Sequence, residues 1–245
     1  MDSVMRLGVV LTAGGSGARF GGPIPKQFLE IKPGLPLLRC ALETFNAFPG
    51  VEAIALTLPP DRVEDWAPLT ATFPKLRVVA GGPERWISVK HGVDALPADI
   101  DHVLIHDAAR PFTPWSVIRR CMEALKRGNS VIAAVGVTDT VKEVEGSAVV
   151  KTLDRSKLIR VQTPQGFPRK VLNEIYARGV PSNPAPGFKV GVPPTDEAMM
   201  VEAAGIPVEW VEGSFLSRKI TTPEDWEWAE WTLTRIEKGV LHLED

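Results

Sequence analysis

The chain has 245 residues, 44% hydrophobic and 24% charged, and its 28 basic and 30 acidic side chains leave a net charge of −2. That balance gives a globular chain long enough to bury a sizeable core, without a global attraction for nucleic acid, so any anion site must be local. The two cysteines, Cys40 and Cys121, match no metal-ligand spacing, and no apolar run approaches the roughly 18 residues of a membrane span; the expectation is a reduced, cytoplasmic protein with neither nucleic acid nor membrane as partner.

In chain order, "MDSVMRLGVVLTAGG" has an acidic second residue and a short apolar run that leads straight into glycines. It predicts a buried first strand over 7–13 and not a signal peptide. Further short, β-branched apolar runs predict strands at 51–58, 76–80, 102–106 and 130–137. Between them, helical patterns cover 36–48, 85–96 and 114–128. Alternating strands and helices predict right-handed βαβ units, hence an α/β, Rossmann-like three-layer sandwich on a mostly parallel, twisted sheet. In such sheets ligands bind outside the carboxyl ends of the strands. The segment 141–158 breaks the alternation. It reads as a hairpin with its turn near Glu145-Gly146-Ser147, too charged to sit on a core, and is expected to project as an arm that pairs with a second subunit. The Pro- and Gly-rich stretch 180–194 reads as a surface loop. The whole chain, 1–245, reads as a single domain, with the arm at about 138–158.

The stretch "GGSGARFGGPIPKQ" (14–27) follows the first strand and holds five glycines, two prolines and two cations, Arg19 and Lys26. Glycines there let backbone N–H groups converge on an anion. The stretch fits none of three familiar templates. No glycine precedes a lysine as a P-loop requires, the third glycine of a dinucleotide fingerprint falls on Phe20, and a nucleophile elbow fails at Ala18. Pro23 and Pro25 would also interrupt the helix that a fingerprint must open. What remains is a phosphate cradle without a helix dipole behind it, in which Arg19 and Lys26 supply the positive charge.

"LTAGGSGARFGGPIPKQF" resembles the signature loop of the nucleotide-sugar type nucleotidyltransferases. Further blocks, "GGPERWISVKHGV" (81–93), "VLIHDAARPF" (103–112), "VTDTVK" (137–142), "LDRSKLIRVQTPQGF" (153–167), "TDEAMMVEAAG" (195–205) and "VEGSFLSRKITTPEDWEWAE" (211–230), are similar in order to the 2-C-methyl-D-erythritol 4-phosphate cytidylyltransferase family of the non-mevalonate isoprenoid pathway. "HDAARP" and "QTPQGF" at this spacing are the specific signals. The resemblance implies attack of a sugar-alcohol phosphate on the α-phosphorus of CTP, with loss of pyrophosphate. That chemistry needs positioning and fixed positive charge and no covalent nucleophile.

By that resemblance Arg19, Lys26 and Lys219 are the catalytic cations. Ala13, Gly14, Gly15, Gly17, Gly82 and Ser88 bind the nucleotide. Arg110, Thr140, Arg155, Thr163 and Thr195 take the second substrate, with Arg155 reaching a neighbouring subunit's site in a homodimer. Asp107, at the carboxyl end of a predicted strand, is the expected ligand of the Mg²⁺ cofactor, a metal that uses few protein carboxylates and leans on phosphate oxygens. Structural alternatives stand beside these roles: Asp107 capping a turn, Ser88 on a helix surface, Arg155 as a solvated charge, Thr140 as a plain strand residue, and Thr195-Asp196 simply starting a helix. Thr222, Pro223, Glu224 and Asp225 are fully explained as a helix start. His106 reads as a packing or hydrogen-bonding residue, and Arg85 and Lys90 carry no assignment. Ser217-Arg218 replaces the family's usual asparagine-isoleucine before the lysine, which adds a charge beside Lys219. Ribitol 5-phosphate is the competing acceptor. A non-catalytic nucleotide sensor would be expected to lack Arg19, Lys26 or Asp107, and a dinucleotide oxidoreductase is disfavoured by the failed fingerprint.

Overall fold

The computed structural model of the chain describes residues 5–15, 20–179 and 193–244. In chain order the strands are β1 (Leu7–Thr12), β2 (Glu30–Lys32), β3 (Leu35–Pro36), β4 (Val51–Leu58), β5 (Leu76–Ala80), β6 (His102–Asp107), β7 (Ser130–Gly136), β8 (Lys142–Glu145), β9 (Ala148–Thr152), β10 (Ile159–Pro168) and β11 (Val208–Glu212). The α-helices are α1 (Leu37–Ala47), α2 (Val63–Trp66), α3 (Leu69–Thr72), α4 (Arg85–Ala95), α5 (Trp115–Lys126), α6 (Arg169–Arg178), α7 (Glu197–Ala203) and α8 (Pro223–Glu237).

Seven strands form one sheet in the order β11-β7-β10-β6-β1-β4-β5. All neighbours run parallel except β10, which is antiparallel to both β6 and β7. Strand alternation builds the two cores. Leu7, Val9 and Leu11 of β1 join Leu104 of β6 in a cluster with Leu38, Leu42 and Phe45 of α1 and Val117, Ile118 and Cys121 of α5. The opposite face sends Val10, Val103 and Ile105 against Val89 and Val93 of α4, Leu172 and Ile175 of α6, and Met200 and Val201 of α7. A third cluster ties α8 to the outer side of α1 through Leu37, Cys40, Phe112, Ile220 and Ala229. The result is the expected three-layer α/β sandwich. Gly92 lets α4 approach the sheet closely, since a Cβ there would stand 2.5 Å from Val10 Cγ1.

The predicted strands at 51–58 and 76–80 have their expected bounds, and the other predicted elements shift by a residue or two at their ends. The predicted hairpin forms as β8 and β9, a separate two-stranded sheet whose residues are all exposed, and Gly146 at its turn has φ 57°. Most of the expected loop at 180–194 lies outside the described residues, as do Gly17 and Arg19.

Candidate active site

The carboxyl ends of β1, β4, β5 and β6 open onto one cleft, and backbone hydrogen bonds carry their pairing past the strand ends. Ala13 N donates to Thr57 O at 2.9 Å, Gly81 N to Leu58 O at 2.7 Å and Ala108 N to Thr12 O at 3.0 Å. The walls of the cleft include Ala13, Gly14, Gly15, Lys26, Gly82, Arg85, Ser88, Asp107 and Lys219.

The glycine loop is held from inside. Gln27 Nε2 donates to Ala13 O and to Gly15 O, both at 2.8 Å, from a buried position in the single 3₁₀ turn Lys26–Phe28. Two carbonyls on either side of Gly14 are fixed in this way. Lys26 starts the same turn directly after Pro25 and is largely buried. Sequence reasoning missed Gln27, although its signal was present: an amide side chain next to the candidate lysine, within reach of the loop it closes.

On the opposite wall Gly82 N donates to Ser88 Oγ at 3.0 Å, and that hydroxyl faces Glu84 O at 3.2 Å and Gly82 O at 3.3 Å. Ser88 therefore shapes the 82–84 turn as well as lining the cleft. Gly82 needs its lack of a side chain, because a Cβ would fall 2.2 Å from Ile87 Cγ2.

Asp107 closes the floor of the cleft among cations. Lys219 Nζ donates to its Oδ2 at 2.7 Å, Arg85 Nη2 donates to its Oδ1 at 3.3 Å, and Arg110 Nε stands 3.9 Å from Oδ2. Thr12 Oγ1 also lies 3.3 Å from Oδ1. Burial pushes the Asp107 carboxyl up, but Arg85, Lys219 and Arg110 together overcome it and hold the group well below the usual carboxylate range. Asp107 is thus an ionised carboxylate in a net cationic setting. A lone carboxylate beside a hydroxyl suits Mg²⁺, which completes its shell from phosphates and water. Among the described residues no group of three His, Cys, Asp or Glu offers an alternative metal cage.

The antiparallel strand β10 locks this arrangement. Its pairing with β7 shifts register between Val161 and Gln165, and its polar side chains reach the end of β6, the turn after β11 and the start of α7. Gln162 exchanges two hydrogen bonds with the backbone of Ser214, at 2.9 and 3.1 Å. The Thr163 hydroxyl accepts from Asp107 N at 3.1 Å and lies 2.9 Å from His106 Nδ1. Gln165 Nε2 donates to Asp196 Oδ2 at 2.9 Å, and Asp196 caps α7 by accepting from Met199 N at 3.0 Å. His106 Nε2 faces Arg110 O at 3.0 Å, which makes Nε2 the donor and leaves Nδ1 to accept from Thr163. Burial pushes this imidazole down to about 4, so it is neutral at physiological pH.

Lys219 follows a turn stapled on two sides. Arg110 Nη1 donates to Ser217 O and Ile220 N donates to Ala109 O, both at 2.8 Å. Arg218 does not add charge to the cleft: its Nη2 lies 2.6 Å from Asp225 Oδ1, and its guanidinium sits 5.5 Å from the Trp228 ring centroid on α8. Asp225 is also the reciprocal partner in the Thr222 capping box that starts α8 after Pro223. Arg85, unassigned from sequence, lines the cleft, whereas Lys90 pairs with Asp94 on the exposed side of α4 at 2.6 Å.

The remaining candidates for the second substrate lie apart from this cluster. Thr140 and Arg155 are exposed at the base of the hairpin, where Arg155 donates to Thr138 O, and Thr195 is exposed just ahead of α7. Thr163 is buried, with its hydroxyl engaged in the network above.

Known proteins resemble this chain over nearly its full length. The family model described as IspD, 2-C-methyl-D-erythritol 4-phosphate cytidylyltransferase, matches residues 7–235. A protein of that name from Carboxydothermus hydrogenoformans is 38% identical over 233 residues, covering 94% of this chain and 96% of the relative. A bifunctional enzyme IspD/IspF from Solidesulfovibrio magneticus is 43% identical over 232 residues, covering 90% of this chain and 56% of that longer protein. Among solved structures, the 2-C-methyl-D-erythritol 4-phosphate cytidylyltransferase from Thermus thermophilus superposes with a TM-score of 0.71 at 30% identity, over 94% of this chain and all of that one. On these matches the chain belongs to the 2-C-methyl-D-erythritol 4-phosphate cytidylyltransferase family.

Proposed function

We propose that the protein transfers CMP from CTP to 2-C-methyl-D-erythritol 4-phosphate. An oxygen of the acceptor phosphate forms a bond to the α-phosphorus of CTP, the α–β bridging bond breaks, and its electron pair leaves with pyrophosphate. The observation that carries this reading is the cleft itself, where a glycine loop pinned by Gln27 faces Asp107 and its ring of cations. Both substrates are polyanions, so catalysis rests on position and on charge fixed before the reaction begins.

In this proposal the 82–88 wall, with Gly82 and Ser88, reads the cytosine. Ala13, at the root of the loop, and the glycine backbone of Gly14, Gly15 and Gly17 bind the triphosphate. Arg19 and Lys26 balance charge on the β- and γ-phosphates, and Lys219 leaves Asp107 to meet charge developing at the α-phosphate. Asp107 would hold Mg²⁺, which when bound offsets phosphate charge and draws the triphosphate into one geometry. Arg110, Thr140, Arg155 and Thr195 receive the acceptor phosphate, with Arg155 serving the site of a second copy, and Thr163 contributes by fixing the floor. The pairing element of that homodimer is the β8–β9 hairpin. A cytoplasmic setting accords with Cys40 and Cys121, both buried and unpaired. Among the described residues no helix is long and apolar enough to cross a membrane.

The test is release of pyrophosphate from CTP, which should require both Mg²⁺ and the acceptor. Comparing kcat/KM for 2-C-methyl-D-erythritol 4-phosphate and ribitol 5-phosphate decides the acceptor, and a preference for ribitol 5-phosphate would overturn the assignment. Lys26→Ala should lose roughly 100- to 1,000-fold in kcat, the size of losing one preorganised electrostatic donor.

A further inference from the structure

Glu197 is the first residue of α7, its residue exposure is 0%, and the reaction proposed above does not use it. Its Oε2 takes Arg85 Nη1 at 2.5 Å, while the other end of the same guanidinium, Nη2, reaches Asp107 Oδ1 at 3.3 Å. Oε1 of Glu197 is buried without a hydrogen-bond partner among the described residues. Burying a carboxylate is costly and leaving one oxygen unbonded adds to that, so an apolar residue would serve packing alone better at this position.

We infer that Glu197 is a positioning residue that holds Arg85 off Asp107 and so keeps Asp107 open to a divalent cation. The argument is geometric. A guanidinium and a carboxylate pair best as a two-pronged fork, with two parallel hydrogen bonds. Arg85 does not pair with Asp107 in that way. One prong is drawn to Glu197 at the shorter distance, and the contact with Asp107 is single and longer. Three cations already face Asp107, namely Lys219, Arg85 and Arg110. Each carboxylate oxygen already meets a cation, Oδ2 closely at Lys219 and Oδ1 only loosely at Arg85; were Arg85 to close into a full fork, this weaker contact would tighten and a metal would have to displace it. Glu197 is held in place for this task by a chain of contacts: Gln165 on β10 bonds the Asp196 cap and also lies 3.4 Å from Ala198 N, which fixes the start of α7. The central strand that fixes Asp107 through Thr163 therefore also fixes the carboxylate that competes for Arg85.

The inference rests on Asp107 being the cation ligand, and the experiment separates the two. The readout is binding, not turnover: the dissociation constant of CTP by calorimetry, in EDTA and in saturating Mn²⁺. The ratio of the two constants measures how strongly the metal and the protein cooperate, and any direct effect of Arg85 on the nucleotide cancels in it. Wild type should show a clear tightening by Mn²⁺, and Asp107→Asn should abolish it. Glu197→Gln keeps shape and acceptor but removes the charge; it should reduce the ratio about fivefold or more, the low end of typical couplings. Arg85→Met combined with Glu197→Gln should restore the ratio, because the competing guanidinium is gone. Should Glu197→Gln not fold, Glu197→Asp, which keeps the charge but retracts it by one methylene, carries the same expectation. An unchanged ratio in the folded Glu197 variant, with Asp107→Asn defective, overturns the inference and leaves the metal reading standing. A double variant as weak as Glu197→Gln alone also overturns it. An unchanged ratio in Asp107→Asn overturns the metal reading and the inference with it.

Discussion

The hydroxyl of Thr163 on β10 accepts the backbone N–H of Asp107 on β6 at 3.1 Å. The same oxygen donates to His106 Nδ1 at 2.9 Å, so a single buried group satisfies both the backbone of the candidate metal ligand and the ring beside it. Thr163→Val keeps the shape and removes both bonds. It should cost about 1–3 kcal/mol, the penalty of an unsatisfied buried donor, visible in chemical denaturation, and kcat should fall with it as Asp107 loses its registration. Thr163→Ser should restore most of both. If Thr163→Val is stable and fully active, the hydroxyl does not hold the floor of the cleft.

His106 makes stability depend on pH in a definite direction. Its ordinary value of 6.5 applies to the unfolded chain, and burial holds the folded imidazole down to about 4. Between those values the unfolded chain binds a proton that the folded one refuses, so the folded state loses ground as pH falls. The contribution is complete above 6.5, declines on acidification, and is gone near 4. A gap of this size corresponds to about 3 kcal/mol. Denaturation at a series of pH values should show that slope in wild type and a flatter one in His106→Asn. Equal slopes would assign the dependence to other groups.

Gly82 tests whether the far wall of the cleft is as tight as its geometry indicates. A methyl at this position would meet Ile87 Cγ2 at 2.2 Å, and the backbone N–H that bonds Ser88 Oγ would have to move. Gly82→Ala should destabilise by about 1–3 kcal/mol, as overpacking does, and raise KM for CTP more than it lowers kcat. A variant with wild-type KM would remove this wall from nucleotide recognition.

Much of the fold is legible in the sequence because β1, β4, β6 and β7 are short apolar runs buried on both faces, the pattern of strands in a covered sheet, whereas β5 at the sheet edge buries only Leu76. β10 is the instructive failure. Its sequence, Ile-Arg-Val-Gln-Thr-Pro-Gln-Gly-Phe-Pro, alternates polarity poorly and carries two prolines, which argue against a central strand. The register shift at Val161–Gln165 accommodates Pro164, and the polar residues are there to reach neighbouring loops and not to pack. β11 is a five-residue edge strand with charges at two positions, a weak pattern by itself. At the site, Asp107, Lys26, Lys219, Gly82 and Ser88 were legible from motif and position after strands. His106 reads as a packing or hydrogen-bonding residue, as the structure has it. Arg85 and Glu197 were not legible, because their roles come from a partnership 112 positions apart.

Arg218 distinguishes a structural cation from a substrate-binding one. Its charge is spent on Asp225 and the Trp228 ring, on the α8 side of the turn that carries Lys219. The pair is partly exposed, so its loss should cost no more than about 1 kcal/mol. Arg218→Ala should lower the melting temperature slightly and reduce kcat several-fold less than Lys219→Ala, without raising KM for the acceptor. A selective rise in acceptor KM would instead place Arg218 on the substrate phosphate.

The hairpin invites a test of the assembly. Val144 and Val149 face each other across β8 and β9, and are 60% and 63% exposed. A lone two-stranded ribbon is marginally stable in water, and here its cross-strand polar contacts, Lys151 with Glu143 at 2.7 Å and Lys142 with Thr152 at 2.6 Å, are all at the surface. In the proposed homodimer these two β-branched residues, held in register and left uncovered, would meet a second copy. Val149→Asp should convert the protein to a monomer in sedimentation velocity without disturbing the central sheet, whose core the hairpin does not join. Because Arg155 and Thr140 stand at the base of the same arm, the monomer should lose acceptor kcat/KM while keeping its affinity for CTP. Mixing Val149→Asp with an Arg155→Ala partner should not rescue activity if the interface itself is lost. A Val149→Asp variant that remains dimeric and active would move the interface elsewhere.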